Sequence, residues 1–365
     1  MVARRTDMWL MRAVVVARTT VSTTIEELGN FILMRAGRNT ADMVQQRSPA
    51  RRFPDAPGRL IDVGGHSLHL HCQGRDTPAV VFDAALGASS LSWSLVVPGV
   101  AAITRACVYD RAGFAWSDAG PLPRTASRIA DELYELLRRG SVPSPWLLVG
   151  HSYGGLVMRL LALRHPDHVA GLVLIEPAHP EDWMQPSDAR RSQIARGARL
   201  CQYGARAARL GVGNAVAALA SVGAIGTAWS IVRIVSRGGL GRGDENIIAP
   251  VWNLPVETRR LLRYIWTQPK FFEALGSQIE SISESARELS SEHEKLDGSF
   301  PLVVMTGAQA GEERMRADAA LAHRSARGRH VLVDNTGHWI PLDAPDAVVN
   351  AVGDVLHEIR TSRSA

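Results

Sequence analysis

A chain of 365 residues, 46% hydrophobic and 21% charged, has ample material for a buried core and none of the compositional bias of a disordered or fibrous polymer. The net charge of +5 is local: residues 1–59 hold ten arginines against five acids, so the remainder is close to neutral and nothing in it resembles a nucleic-acid module. Cys72, Cys107 and Cys201 are odd in number and show no CxxC spacing. They read as buried free thiols, which excludes a disulfide framework and points to a reducing, cytoplasmic compartment.

Residues 1–57 form a basic N-terminal extension. Within it "MWLMRAVVVA" (8–17) is apolar but broken by Arg12, well short of the ~20 residues a spanning helix needs. A cleavable signal would want a longer apolar run and a small-residue site. The plain reading is a solvated arm; the other is a weak, membrane-peripheral contact through its arginines.

From residue 58 strand-like and helix-like segments alternate. "LIDV" and "SLHLHC" flank Gly64-Gly65 as a hairpin. "AVVFDA" (79–84) and "RACVYD" (105–110) read as short buried strands with a serine-capped helix between them. "RTASRIADELYELLRR" (124–139) has apolar residues at helical spacing and ends in basic residues before Gly140. The strand "WLLVG" (146–150), a helix through "LVMRLLALRHP" and the strand "AGLVLIEP" (170–177) follow.

After Pro180 the pattern breaks, and residues 181–297 carry helix-like, small-residue and polar stretches with no obvious strand. One stretch there, 210–232, runs 23 residues without a charge, but Gly, Ala and Ser dominate it, so it reads as buried lid helices rather than a membrane span. Alternation resumes with "PLVVMTG" (301–307), a helix near 312–326, "RHVLVD" (329–334) and a final helix near 344–361. Strands apolar on both faces, separated by amphipathic helices, imply a mostly parallel, doubly wound α/β sheet. Its core spans 58–180 and 298–365, with 181–297 as a helical cap.

Gly150-His151-Ser152-Tyr153-Gly154 fits G-x-S-x-G, with a strand before it and a helix after it. A sharp turn there lifts a serine hydroxyl above the sheet, glycines remove clashes, and the helix N-terminus favours developing negative charge. With this elbow, "YDRAGFAWSD" (109–118) and "TGHWIPLDAPDAVVNAV" (336–352), the chain resembles the α/β-hydrolase fold superfamily, over roughly 58–180 and 298–365.

The resemblance, joined to the chemistry, implies roles. Ser152 is the nucleophile, and His338, in a turn between a strand and the closing helix, is the base. The oxyanion hole takes the backbone N–H groups of Tyr153 and Leu86, the latter by aligning Ala85 in "DAALGASSLSW" with the family's glycine. His151 reads as packing around the site. The acid is open. Its usual place, near Gln309 and Ala310, holds no carboxylate. Glu176, at the end of "LVLIE", is the first choice; Glu312, Glu313 and Asp318 are alternatives, with Asp182 or no acid behind them. Asp334 reads as a strand-end residue.

The expected activity is ester hydrolysis through an acyl-enzyme on a small molecule with an apolar acyl or aryl group, with no cofactor and no metal. Serine at the elbow argues against the haloalkane dehalogenase and epoxide hydrolase branches, which use aspartate there. Amide, prolyl-peptide and carbon–carbon bond hydrolysis share the same machinery. A ligand-binding homologue without catalysis is the reading from another class. The oligomeric state is left open.

Overall fold

Along each central strand successive side chains belong to different cores. Val80 and Phe82, Leu147 and Val149, and Val173 and Ile175 enter one apolar cluster. Val81, Leu148, Leu172 and Leu174 enter the other. That period of two, apolar on both sides, is what a sheet covered by helices on both faces requires.

The computed structural model describes residues 54–212, 251, 253–292 and 300–364. The N-terminal extension up to residue 53 and most of the uncharged stretch at 210–232 lie outside the described residues. Among the described residues no helix is long and apolar enough to cross a membrane.

The elements in chain order are β1 (Arg59–Asp62), β2 (Ser67–Gln73), β3 (Val80–Asp83), α1 (Val97–Ala101), β4 (Ala106–Tyr109), α2 (Ala126–Arg139), β5 (Trp146–His151), α3 (Tyr153–Arg164) and β6 (Val169–Ile175). Then come the helices α4 (Glu181–Met184), α5 (Asp188–Arg209), α6 (Val256–Ile265), α7 (Pro269–Glu280) and α8 (Ile282–Ser291). The chain closes with β7 (Leu302–Gly307), α9 (Glu312–Ala322), β8 (Gly328–Val333), α10 (Ile340–Asp343) and α11 (Pro345–Ser364). The serine-rich segment after β3 gives a 3-10 turn at Ser90–Trp93 and the short α1 rather than one helix. The β1–β2 turn is the glycine hairpin, its two N–H groups held by Asp62 Oδ1 at 2.6 and 3.1 Å.

The eight strands lie in the order β1-β2-β4-β3-β5-β6-β7-β8, antiparallel only where β2 meets β1 and β4. Helices α1 and α11 cover one face and α2 and α3 the other. The winding reverses between β3 and β5, and such a switch point opens a crevice at the carboxyl ends of the strands. Register aligns those ends: Asp83 is opposite Gly150, His151 opposite Ile175, and Ile175 opposite Met305. Whatever follows β3, β5, β6 and β7 is therefore gathered in one place.

The insertion bonds to that same edge. Lys270 on α7 donates to the carbonyls of Ala115 and Ser117 at 2.9 and 2.7 Å. Ser277 accepts the Arg124 N–H, and Ser285 on α8 accepts the Ala126 N–H. Leu275 faces Gly87 in the loop after β3.

The cysteines correct the sequence reading. Cys72 and Cys107 form a disulfide, and only Cys201 is a free, buried thiol. Spacing along the chain concealed this, because the β2–β4 register sets Cys72 opposite Cys107 although 35 residues separate them. The inference from free thiols to a reducing compartment is withdrawn with it, since structural disulfides persist in oxidising surroundings. Denatured without reductant, the protein is expected to take up one alkyl group, at Cys201. Prior reduction should open all three positions, and equal alkylation with and without reductant would contradict the pairing.

Candidate active site

Ser152 occupies the corner between β5 and α3 at φ 55° and ψ −116°. Its N–H donates to the Ile175 carbonyl at 2.9 Å, and its carbonyl accepts from Gly155 and Ala178 at 2.9 and 3.0 Å. The chain can turn this sharply because Gly150 and Gly154 touch. A Cβ on Gly150 would lie 2.7 Å from the Gly154 carbonyl, and one on Gly154 would lie 2.4 Å from that of Asp83. The strand–elbow–helix read from the sequence is present, and the loop after β3 rests on its first helical turn.

Glu176 follows β6 by one residue, at φ 46°, next to the elbow through the β5–β6 register. It is 5% exposed. Its N–H bonds the Met305 carbonyl at 2.8 Å, and Oε1 accepts the Gly307 N–H at 2.8 Å. Oε2 faces His338 Nδ1 at 3.4 Å, with the Arg314 guanidinium 3.9 Å away. A buried carboxylate needs such partners, and Glu176 has a backbone donor, an imidazole and a cation.

His338 sits between β8 and α10. Its loop is tied to the end of β7 by the Gln309 N–H, which donates to the Thr336 carbonyl at 3.1 Å. Gln309, at the place where an acid was sought, thus supports the histidine loop through its backbone. His151 holds the loop from beneath: its Nε2–H donates to the His338 carbonyl at 2.8 Å, and the two rings lie 5.0 Å apart. His151 does more than pack, since it fixes the height of the His338 backbone; its place beside Ser152 in G-x-S-x-G was the one signal for this.

The other candidate acids lie elsewhere. Asp318 is fully buried, but it accepts from His179 Nε2 at 2.6 Å, Thr306 Oγ1 at 2.7 Å and Arg314 Nε at 3.2 Å. Burial alone would raise its pKa; the His179 bond, with the Arg314 charge and Thr306, lowers it. It anchors α9 to β7 and does not meet His338. Glu312 is solvated and paired with Arg316, Glu313 is exposed, and Asp182 faces Arg190 at 3.4 Å. Their places on α9 and α4 leave them without a contact to His338 among the described residues.

Leu86 is partly buried in the loop after β3, and Tyr153 opens α3. The Tyr153 ring is buried, and its hydroxyl reaches Ser285 Oγ of α8 at 3.2 Å. Burial pushes that phenol up to about 12. Sequence reasoning passed over Arg111, which is 3% exposed and forms an ion pair with Asp83 at 2.9 Å. The unusual Asp83 at the end of an apolar strand was the available signal for its carboxylate, and nothing in the sequence tied it to Arg111.

A strained serine at a strand–helix corner, with a histidine and a carboxylate delivered by later strand ends, defines a hydrolase fold. The matches agree. Residues 78–210 match the family model described as the alpha/beta hydrolase fold. A thermophilic esterase from Thermogutta terrifontis superposes with a TM-score of 0.60 over 82% of this chain and 98% of that one, at 20% identity. The epoxide hydrolase CorEH gives a TM-score of 0.60 over 82% and 98%, at 15% identity. The uncharacterized protein YqjL of Bacillus subtilis (strain 168) is 33% identical over 121 residues, which are 33% of this chain and 48% of that protein. This chain thus spans about half the length of that curated relative. It is a protein of the alpha/beta hydrolase fold.

Burial, joined by the charge of His338, pushes the His151 imidazole down to about 3 from an ordinary 6.5. Between those values the unfolded chain binds a proton that the folded one refuses. The contribution of neutral His151 to stability is therefore full above the ordinary value and is lost as the pH falls toward the folded one. His151→Gln keeps an N–H donor for the His338 carbonyl but cannot titrate. It is expected to flatten the fall in Tm between about pH 7 and pH 4; a slope identical to the parent's would contradict a neutral, buried His151.

Proposed function

We propose that the protein is a serine hydrolase acting through an acyl-enzyme on a small carboxylic ester with an apolar acyl or aryl group. One observation carries the reading. Four histidine–carboxylate pairs lie among the described residues, and their imidazole side chains are 10% (His66), 1% (His69), 11% (His179) and 45% (His338) exposed. A general base must reach substrate, and the pair beside the elbow is the one with an accessible ring.

In this account Ser152 Oγ attacks the ester carbonyl while His338 takes its proton. Glu176 holds the ring in orientation and stabilises the imidazolium. The N–H groups of Tyr153 and Leu86 donate to the oxyanion, whose charge is also favoured by the N-terminus of α3. His338 returns the proton to the leaving alcohol. Water, activated by the same imidazole, then releases the acid and frees Ser152. His338 Nδ1 and Glu176 Oε2 stand 3.4 Å apart, within hydrogen-bonding reach. Helices α7 and α8, bonded to the loops at the carboxyl edge, act as a cap over the substrate. Serine rather than aspartate at the elbow supports an ester over an epoxide or haloalkane.

A panel of p-nitrophenyl esters of increasing chain length tests the proposal, with turnover best for an apolar acyl chain. Glu176→Gln should lower kcat by roughly 10³-fold or more by leaving the imidazole mis-oriented. Asp318→Asn should leave kcat within about threefold, because it touches neither reactant nor base. Folded parent protein that turns over no ester contradicts the proposal, and a fully active Glu176→Gln contradicts the choice of acid.

A further inference from the structure

Arg111, on the loop after β4, has a partner at each of its three nitrogens. Nε donates to Asp83 Oδ1 and one terminal nitrogen lies by Asp83 Oδ2, both at 2.9 Å. That nitrogen also donates to the Ala84 carbonyl. The other reaches the carbonyl of Ala85 and Oε1 of Gln278 on α7, each at 3.4 Å. The guanidinium carbon stands 5.0 Å over the Tyr153 ring. One buried cation thus touches the loop that contains Leu86 and the residue that follows the nucleophile.

The consequence follows from peptide geometry. In a trans peptide the carbonyl of one residue and the N–H of the next point to opposite sides of the chain. Turning the Ala85 carbonyl toward Arg111 turns the Leu86 N–H away from it. Ala88 N–H locks the same carbonyl from a second direction at 3.1 Å. Among the described residues the Leu86 N–H has no acceptor. The loop is seated on the elbow helix, since a Cβ on Gly154 would lie 2.8 Å from the Ala84 carbonyl.

We propose that Arg111 is a positioning residue for the oxyanion hole, its guanidinium turning the Ala84 and Ala85 carbonyls inward so that the Leu86 N–H faces the Ser152 reaction centre. This rests on the serine-hydrolase reading above. Asp83 neutralises the cation, so Arg111 acts through the peptides it orients and not through its own charge. Lysine is no substitute, because a single ammonium cannot hold a carboxylate and two carbonyls in the fixed fork of a guanidinium.

The test uses two variants of the full chain. Arg111→Lys keeps a charge for Asp83 and loses the fork. The double variant Asp83→Asn/Arg111→Met removes the buried pair as a unit and leaves no stranded carboxylate. Active sites are counted by titrating Ser152 to completion with a fluorophosphonate, so kcat refers to folded enzyme. Both variants should lose about 10²-fold in kcat per titrated site with KM within about twofold, the mark of an interaction made in the transition state. Their affinity for a trifluoromethyl ketone, which forms the tetrahedral oxyanion, should fall in parallel. A role confined to stability would lower the number of titrated sites and leave kcat per site at the parent value, and that result overturns the inference. A parent protein that is neither titrated nor active overturns the serine-hydrolase reading itself, which the two variants alone do not.

Discussion

The backbone of Ser152 is the constraint on which the site depends. A residue with a Cβ held at positive φ costs roughly 1–3 kcal/mol and persists only where its surroundings over-determine it. Here the surroundings are the next strand: Ile175 accepts the Ser152 N–H, and Ala178 donates to the Ser152 carbonyl. Glu176, between those two, is itself at positive φ and hangs from Met305 and Gly307 of β7. The elbow and Glu176 are thus linked by hydrogen bonds across β5, β6 and β7. The two apolar clusters on either face of the sheet hold those strands in register, so core packing and site geometry are one problem.

Charge is handled the same way at both ends of the site. Arg314 stands between Glu176 and Asp318, and Arg111 holds Asp83 beneath the loop that contains Leu86. A buried carboxylate without a cation or donors would be neutralised or destabilising. Each of these acids is instead paired in a geometry that also fixes a neighbouring loop. His151 complements them as a neutral imidazole, whose donor supports the His338 backbone without adding charge beside that ring.

The fold was legible because its strands are apolar on both faces and its helices are not. The alternation from residue 58 to 177 and from 301 onward placed every parallel strand to within two residues. Ser152 and His338 were legible because each sits in a turn flanked by a strand and a helix. Glu176 was readable as a carboxylate with no structural reason to end an apolar strand, but nothing in one dimension separates it from Asp318. Only the packing of α9, which sends Asp318 to His179, does so. The Cys72–Cys107 pair and Arg111 were hidden for a similar reason: both depend on strand register and loop packing between residues far apart in the chain.

The central claim is that Ser152 is made nucleophilic by the fold that strains it. The most direct measurement is peptide mapping by mass spectrometry after brief exposure of the protein to a fluorophosphonate. The account predicts one phosphonylated residue, Ser152, in the native protein and no phosphonylation after denaturation in guanidinium chloride. Labelling of a different residue, or of Ser152 equally in the unfolded chain, would contradict it.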